Sequence, residues 1–221
     1  MDYPIWDIPM GGGILMGLVA ITHVIVSHFA IGGGLVIVVT ESLAVRRGDR
    51  EMRDLAKRSS LVLILISTVF GAISGVGIWV VAGLISPTAI SALIRNYVWG
   101  WAIEWVFFFV EIVAALVYYA TWDKVAKRAH VMDGWIYFVS AYMSLVNING
   151  ILTFMLTPGK WLATGQFWDG FFNPTYFPSL VLRTGIAVVM AAAFMLLPAT
   201  RAAVHDRPRL VRYLGGWAVV G

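Results

Sequence analysis

The chain has 221 residues, of which 60% are hydrophobic and 13% are charged, and its mean hydropathy is +0.82. A soluble domain could not bury that much apolar surface, so the composition predicts an integral membrane protein in contact with a lipid bilayer. The net charge of +4 does not argue for nucleic acid, because the basic residues lie in loops beside apolar segments. The absence of cysteine excludes disulfides, thiolate metal sites, iron–sulfur clusters and covalently attached c-type haem within this chain.

Five apolar segments are each long enough to cross a bilayer, which takes about 20 residues in a helix. They run from about residues 10 to 43, 60 to 85, 97 to 122, 132 to 157 and 178 to 200. A sixth begins near Leu214. We therefore expect an all-α membrane protein, a bundle of five to six transmembrane helices. We expect residues 1–221 to form a single membrane-embedded domain that continues past residue 221 or is completed by a partner subunit.

The basic residues predict the orientation of these helices. Thirteen of the sixteen Lys and Arg residues fall in three alternate connections, at residues 46–58, 124–128 and 201–212. Cytoplasmic loops carry such an excess, so these connections are predicted to be cytoplasmic and the amino terminus to be outside. The aromatic outer loop at residues 159–177 is then either an interfacial belt or a lid or docking surface.

His23 and His28 are the first candidates for chemistry, because a histidine inside an apolar segment is costly unless it has a role. His23 shares a helical face with the small residues Ala30 and Gly34, which would admit a flat macrocycle or another helix. Neutral imidazole is a common axial haem ligand, whereas the alternative is a hydrogen bond between helices. His28 lies roughly 140° round the helix, so it would ligate a second cofactor, cap a carbonyl or face a cavity.

Glu104 and Glu111 are the only acids well inside the third segment, on one face and roughly 10 Å apart along the axis. Carboxylates at such depth are usually functional, so we expect them to carry protons or to ligate a metal. Arg183 in the fifth segment would balance Glu104, bind a haem propionate or reach outward to the interface.

Other polar residues are given structural roles. Ser140, Ser144, Asn147 and Asn149 in the fourth segment predict hydrogen bonds between helices. His130 and His205 fall in basic connections and are expected to be solvated. Glu41 is expected at the cytoplasmic interface, with proton uptake as the alternative.

Two segments resemble subunit I of the cytochrome bd-type oxidases. The first, THVIVSHFAIGGGLVIVVTESLAV, has the family's early histidine, a glycine nine residues later and a glutamate after nine more, here His23, Gly32 and Glu41. The third, WAIEWVFFFVEIVAALVYYATWDK, has the paired glutamates and a closing Trp-Asp. The second and fourth segments fit loosely, and the resemblance extends over essentially the whole chain.

The resemblance implies that His23 ligates a haem of the oxygen-reducing site and that Glu104 and Glu111 serve that site as proton carriers. Two positions depart from the family. The two glutamates are one residue closer than expected, which rotates one of them unless the helix carries a bulge. Arg183 stands where the family has a histidine that ligates the low-spin haem, and arginine cannot ligate iron there.

The leading hypothesis is a haem-binding membrane subunit of a bd-oxidase-like respiratory complex in a bacterial or archaeal cell membrane. It would carry a b-type or d-type haem on His23 and take electrons from quinol or a c-type cytochrome, with other membrane subunits as partners. The alternatives are a cofactor-poor anchoring subunit of a respiratory complex and a small-molecule transporter. The chain shows none of the internal repeat symmetry that many transporters have.

Overall fold

A computed structural model describes residues 5–221, so Met1–Pro4, and with them the amino terminus itself, lie outside the described residues. Within residues 5–221 the chain forms ten α-helices and no β-strand. The helices are α1 (Gly12–Arg47), α2 (Arg50–Ile64), α3 (Ala72–Ile85), α4 (Pro87–Asn96), α5 (Val98–Ala120), α6 (Lys127–Leu156), α7 (Trp161–Thr164), α8 (Phe167–Phe171), α9 (Tyr176–Ala199) and α10 (Arg207–Val220). The prediction of an all-α membrane protein is confirmed.

All five predicted membrane segments are helical, and each is long and apolar enough to cross a bilayer. The second span is one continuous helix, Arg50–Ile85, in which a π-helical segment, Leu65–Gly71, joins α2 to α3. It starts about ten residues earlier than predicted, because Asp49 caps α2 by accepting a hydrogen bond from the Met52 amide at 3.1 Å. The sixth helix, α10, begins at Arg207 rather than near Leu214.

Helix α1 is the centre of the bundle and contacts α2, α3, α6 and α9. Three successive glycines allow these close approaches. A Cβ at Gly32 would overlap the Ala187 carbonyl group of α9, and a Cβ at Gly33 would lie 2.7 Å from Leu63 of α2. A Cβ at Gly34 would lie 2.6 Å from the Tyr137 ring of α6. The glycine run therefore serves helix packing.

The three basic connections meet at one end of the bundle, which we call the basic end. Asp123, after α5, pairs with Arg53 and Lys57 of α2 at 2.6 Å each. Arg209 of α10 pairs with Asp49 between α1 and α2. The structure thus gathers the basic residues on one side, as the predicted orientation requires.

At the opposite end, the predicted outer loop folds into α7 and α8 and packs on the ends of α5 and α6. Phe171 and Tyr176 are buried there with Tyr97 and Ile151. Trp168, Phe172 and Phe177 remain exposed, as an interfacial aromatic belt would be.

Candidate functional site

His23 is half-buried on α1 and faces α3. Its Nδ1 lies 3.1 Å from the Ser74 hydroxyl oxygen. Gly75 follows Ser74, and a Cβ there would lie 3.2 Å from His23 Cε1 and 3.9 Å from Nε2. The glycine therefore leaves room at the Cε1 corner of the ring, between Nδ1 and Nε2.

The His23 ring has one nitrogen engaged and one available. Within residues 5–221, no side chain forms a hydrogen bond with Nε2. Haem needs only an axial donor from a protein side chain, and a neutral imidazole nitrogen is such a donor. The described residues contain no cluster of three metal-binding side chains, and His23 offers a single nitrogen donor.

Ser74 was not among the residues predicted from the sequence. A serine beside a glycine in an apolar segment is a weak signal, and nothing in the spacing shows which neighbouring helix it faces. Its position comes from the pairing of α1 with α3, which brings together residues 51 positions apart.

His28 is 3% exposed, and its Nδ1 donates to the Val24 carbonyl oxygen of its own helix at 2.7 Å. Of the three roles predicted for His28, the structure shows the hydrogen bond to a backbone carbonyl. The assignment of His28 as a cofactor ligand stays a prediction.

Glu104 is held by α6. Ser144 donates a short hydrogen bond to one carboxylate oxygen, and Asn147 donates to the other at 3.2 Å and to the Gly100 carbonyl at 2.7 Å. Two of the predicted interhelical hydrogen bonds are thereby confirmed. Asn149 supplies a third, to the Tyr176 carbonyl of α9 at 2.9 Å.

Glu111 is half-buried two turns further along α5. Helix α5 is a regular α-helix from Val98 to Ala120, so the bulge lies in the second span and not between the two glutamates. No described side chain forms a hydrogen bond with the Glu111 carboxyl group, in contrast to Glu104. Glu111 is thus the less fixed of the two acids.

Arg183 is half-buried on α9, and its Nε donates to the Ser179 hydroxyl at 3.1 Å. Ser179 in turn donates to the Asn149 side-chain oxygen at 2.8 Å. Among the described residues Arg183 forms no ion pair, so of its three predicted roles the pairing with Glu104 is not formed in this structure. The other N–H groups of its guanidinium have no acceptor among the described residues, so they remain available to an anion that the described residues do not supply.

His23 and Glu104 contact different neighbours, α3 and α6, and no hydrogen bond joins them within residues 5–221. The two side chains are therefore not hydrogen-bond partners in this structure.

The expected solvation of His130 is wrong, and so is the interfacial position of Glu41. His130 is 2% exposed and Glu41 is 0% exposed. His130 Nδ1 lies 2.7 Å from a Glu41 carboxylate oxygen, and His130 Nε2 donates to the Tyr118 carbonyl at 2.8 Å. Tyr118 donates its hydroxyl to the second Glu41 oxygen at 2.7 Å. His205, in contrast, is exposed as predicted.

This buried cluster joins α1, α5 and α6 near the basic end. Because Nε2 of His130 must donate to a carbonyl, the hydrogen bond to Glu41 contains one shared proton, carried by either Nδ1 or the carboxyl oxygen. The pair is neutral overall in both cases, which lowers the cost of its burial. The sequence did not predict the pair, because His130 has basic neighbours in the chain while its partner lies 89 residues away.

The fold and the buried polar residues define a class, the multi-pass helical membrane proteins that carry ionisable side chains between their helices. The sequence model of cytochrome bd terminal oxidase subunit I matches residues 13–211, nearly the whole chain. The chain belongs to this family, as the resemblance of its first and third segments predicted.

The fold is also similar to a solved structure, the bd oxidase from Geobacillus thermodenitrificans, with a TM-score of 0.79 and 20% sequence identity. The match covers 95% of this chain and 51% of that chain, so this chain spans about half the length of its structural relative. No curated protein sequence matches this chain.

Proposed function

We propose that the chain is the haem-binding membrane subunit of a bd-oxidase-like respiratory complex, in which His23 would hold the haem iron. The observation that supports this most directly is the His23 ring, whose Nδ1 contacts Ser74 while its Nε2 has no side-chain partner among the described residues. A bound haem would supply electron transfer and the reduction of oxygen or a related acceptor.

The chain's own side chains would serve that site in distinct ways. His23 would hold the iron, and Gly75 would leave space at its ring. Glu111 would exchange protons with the site. Glu104, fixed by Ser144 and Asn147, would hold a proton or orient the groups that deliver protons to the haem. Arg183 would bind a propionate through its free guanidinium nitrogens, and His28 would contact a second cofactor through Nε2.

Partners and cofactor type follow from the family and not from the described contacts. We infer a b-type or d-type haem, quinol or a c-type cytochrome as the electron donor, and other membrane subunits in a bacterial or archaeal cell membrane. The chain spans about half of its structural relative, so the activity of a whole oxidase is part of this proposal.

A second candidate is an anchoring subunit that holds little cofactor of its own. Arg183 favours it. An arginine occupies the position at which the family has the histidine ligand of the low-spin haem, and its Nε donates a hydrogen bond to Ser179. This candidate predicts that the haem content depends on a partner chain and that substitution of His23 leaves the complex active.

Haem stoichiometry separates the two candidates. The purified protein and its His23→Ala variant are compared by the pyridine haemochrome assay, with His205→Ala, which alters an exposed histidine, as the matched control. We expect haem in the wild type and the control and its loss in His23→Ala. Full retention of haem in His23→Ala, or none in the wild type, would contradict the proposed ligand.

A further inference from the structure

We propose that Ser74 is the positioning residue of His23: it fixes the proton on Nδ1 and so directs an unprotonated Nε2 toward the haem iron. This inference rests on the proposed function for its consequence, but not for its geometry. Ser74 lies at the start of α3, is 8% exposed, and meets the His23 ring across the contact between α1 and α3.

The Ser74 hydroxyl has a single proton to donate and two lone pairs with which to accept. The Ser74 oxygen lies 2.5 Å from the Phe70 carbonyl oxygen and 3.2 Å from that of Gly71, and carbonyl oxygens only accept. The short contact with Phe70 favours the backbone as the acceptor of this proton, which leaves the hydroxyl oxygen to accept in its third contact.

That third contact is His23 Nδ1, at 3.1 Å. Since the serine oxygen accepts, Nδ1 must carry the hydrogen and donate it. A neutral imidazole protonated on Nδ1 has its lone pair on Nε2, the form that coordinates iron. The hydrogen bond also fixes the ring plane, because it anchors one of the two ring nitrogens.

The π-helical segment explains why Ser74 is in position. Both backbone acceptors of the Ser74 hydroxyl, Phe70 and Gly71, lie in Leu65–Gly71. A single π turn adds one residue to a helix and rotates the residues after it by roughly 100°. The bulge thus turns Ser74 and Gly75 together toward α1, the first to accept from the ring and the second to make room for it.

Hydrogen-bond partners of a ligating histidine affect metal binding in many proteins. A hydrogen bond to the second nitrogen of a ligating histidine fixes its tautomer and raises its basicity, and loss of such a partner typically lowers metal affinity about 10- to 100-fold. We expect a change of that size in haem affinity when the Ser74 hydroxyl is removed.

Three variants test the assignment. Ser74→Ala removes the acceptor, and Ser74→Thr restores a hydroxyl at the same place. Ser27→Ala is the matched control, because the Ser27 hydroxyl also donates to backbone carbonyls, of His23 at 2.9 Å and Val24 at 3.2 Å, without touching the ring.

Two readouts keep the inference separate from the proposed function. The first is the ¹⁵N NMR spectrum of histidine-labelled protein after haem extraction, with the His23 signals assigned by their absence in His23→Ala. We expect Nδ1–H in the wild type, Ser74→Thr and Ser27→Ala, and a mixed or Nε2–H tautomer in Ser74→Ala. Wild-type protein with Nε2–H, or an unchanged tautomer in Ser74→Ala, would overturn the assignment.

The second readout is haem affinity and midpoint potential in the loaded protein. We expect Ser74→Ala to bind haem about 10- to 100-fold more weakly, with a shifted potential, and Ser74→Thr to recover both. Wild-type values in Ser74→Ala, in a protein whose haem is lost in His23→Ala, would overturn the positioning role. A wild type without haem but with the Nδ1–H tautomer would contradict the proposed function and support the Ser74 contact.

Discussion

At the scale of single residues, three polar side chains inside the apolar spans, His23, Glu104 and Arg183, each have a hydrogen-bond partner in the structure. His23, Glu104 and Arg183 stand out because polar groups are costly in an apolar span. Arg183 contacts Ser179 of its own helix, but the contacts of His23 with Ser74 and of Glu104 with Ser144 depend on which helices lie side by side. Such contacts join residues far apart in the chain, and a single sequence gives no register between helices.

The cluster of Glu41, Tyr118 and His130 gives a prediction at this scale. His130→Phe would leave the Glu41 carboxyl group buried with Tyr118 as its remaining partner. Removing one member of a buried pair costs about 3–5 kcal/mol, so the free energy of unfolding in detergent should fall by that order. His205→Phe, at an exposed site, should change it by less than about 0.5 kcal/mol. Equal stability of the two variants would show that the buried pair does not hold α1, α5 and α6 together.

At the scale of helices, hydropathy finds the five spans because each presents about 20 apolar residues in a row. It misses the start of α2, where Arg50–Arg58 reads as a charged loop. The start of the helix is nevertheless visible in the spacing of its buried residues. These are Met52, Leu55, Ala56 and Ser59, which follow one another at the helical intervals of three, four and seven. The π segment at Leu65–Gly71 has no comparable signature in the sequence.

The glycines of α1 allow a test of helix packing. Gly32→Ala would place a methyl group on top of the Ala187 backbone, so α1 and α9 would have to separate. Overpacking of this kind costs about 1–3 kcal/mol or more. Gly17→Ala is the matched control on the same helix, since nothing lies within 4 Å of its added Cβ. Thermal unfolding in detergent measures both, and a Gly32→Ala variant as stable as Gly17→Ala would contradict the close approach.

The ion pairs between α2 and the segment after α5 predict a pH dependence. Lys57 first, and then Arg53, lower the pKa of Asp123 from 3.8 to about 2. A carboxyl group with a lowered folded-state pKa stabilises the protein above its unfolded-state pKa, and this contribution is lost as the pH falls from about 4 toward 2. Asp123 has a positive φ of 61°, which asparagine tolerates, so Asp123→Asn removes the charge with little backbone strain.

Wild-type protein should therefore lose more stability than Asp123→Asn between pH 5 and pH 3, each measured by thermal unfolding at low salt. The Asp123 side chain is 52% exposed, so the difference should be modest and should shrink as salt is added. Parallel pH profiles for the two proteins at low salt would count against the ion pairs.

At the scale of the whole molecule, the bundle has a basic end, an aromatic end and polar side chains at several depths between them. His23 and Glu104 are each held by a different neighbour of the bundle, α3 and α6. Composition and family resemblance predicted this architecture, because both depend on patterns along the whole chain. The division of polar groups among separate helix pairs could not be predicted, since it depends on the packing of helices around α1.

The central claim is that this chain of the bd terminal oxidase subunit I family holds haem iron on His23. The most direct measurement is an experimental density map of the purified complex that resolves side chains around α1 and α3. We expect a haem whose iron is bonded to His23 Nε2, with Nδ1 toward Ser74. Protein or lipid density against Nε2, with no haem at that position, would contradict the claim.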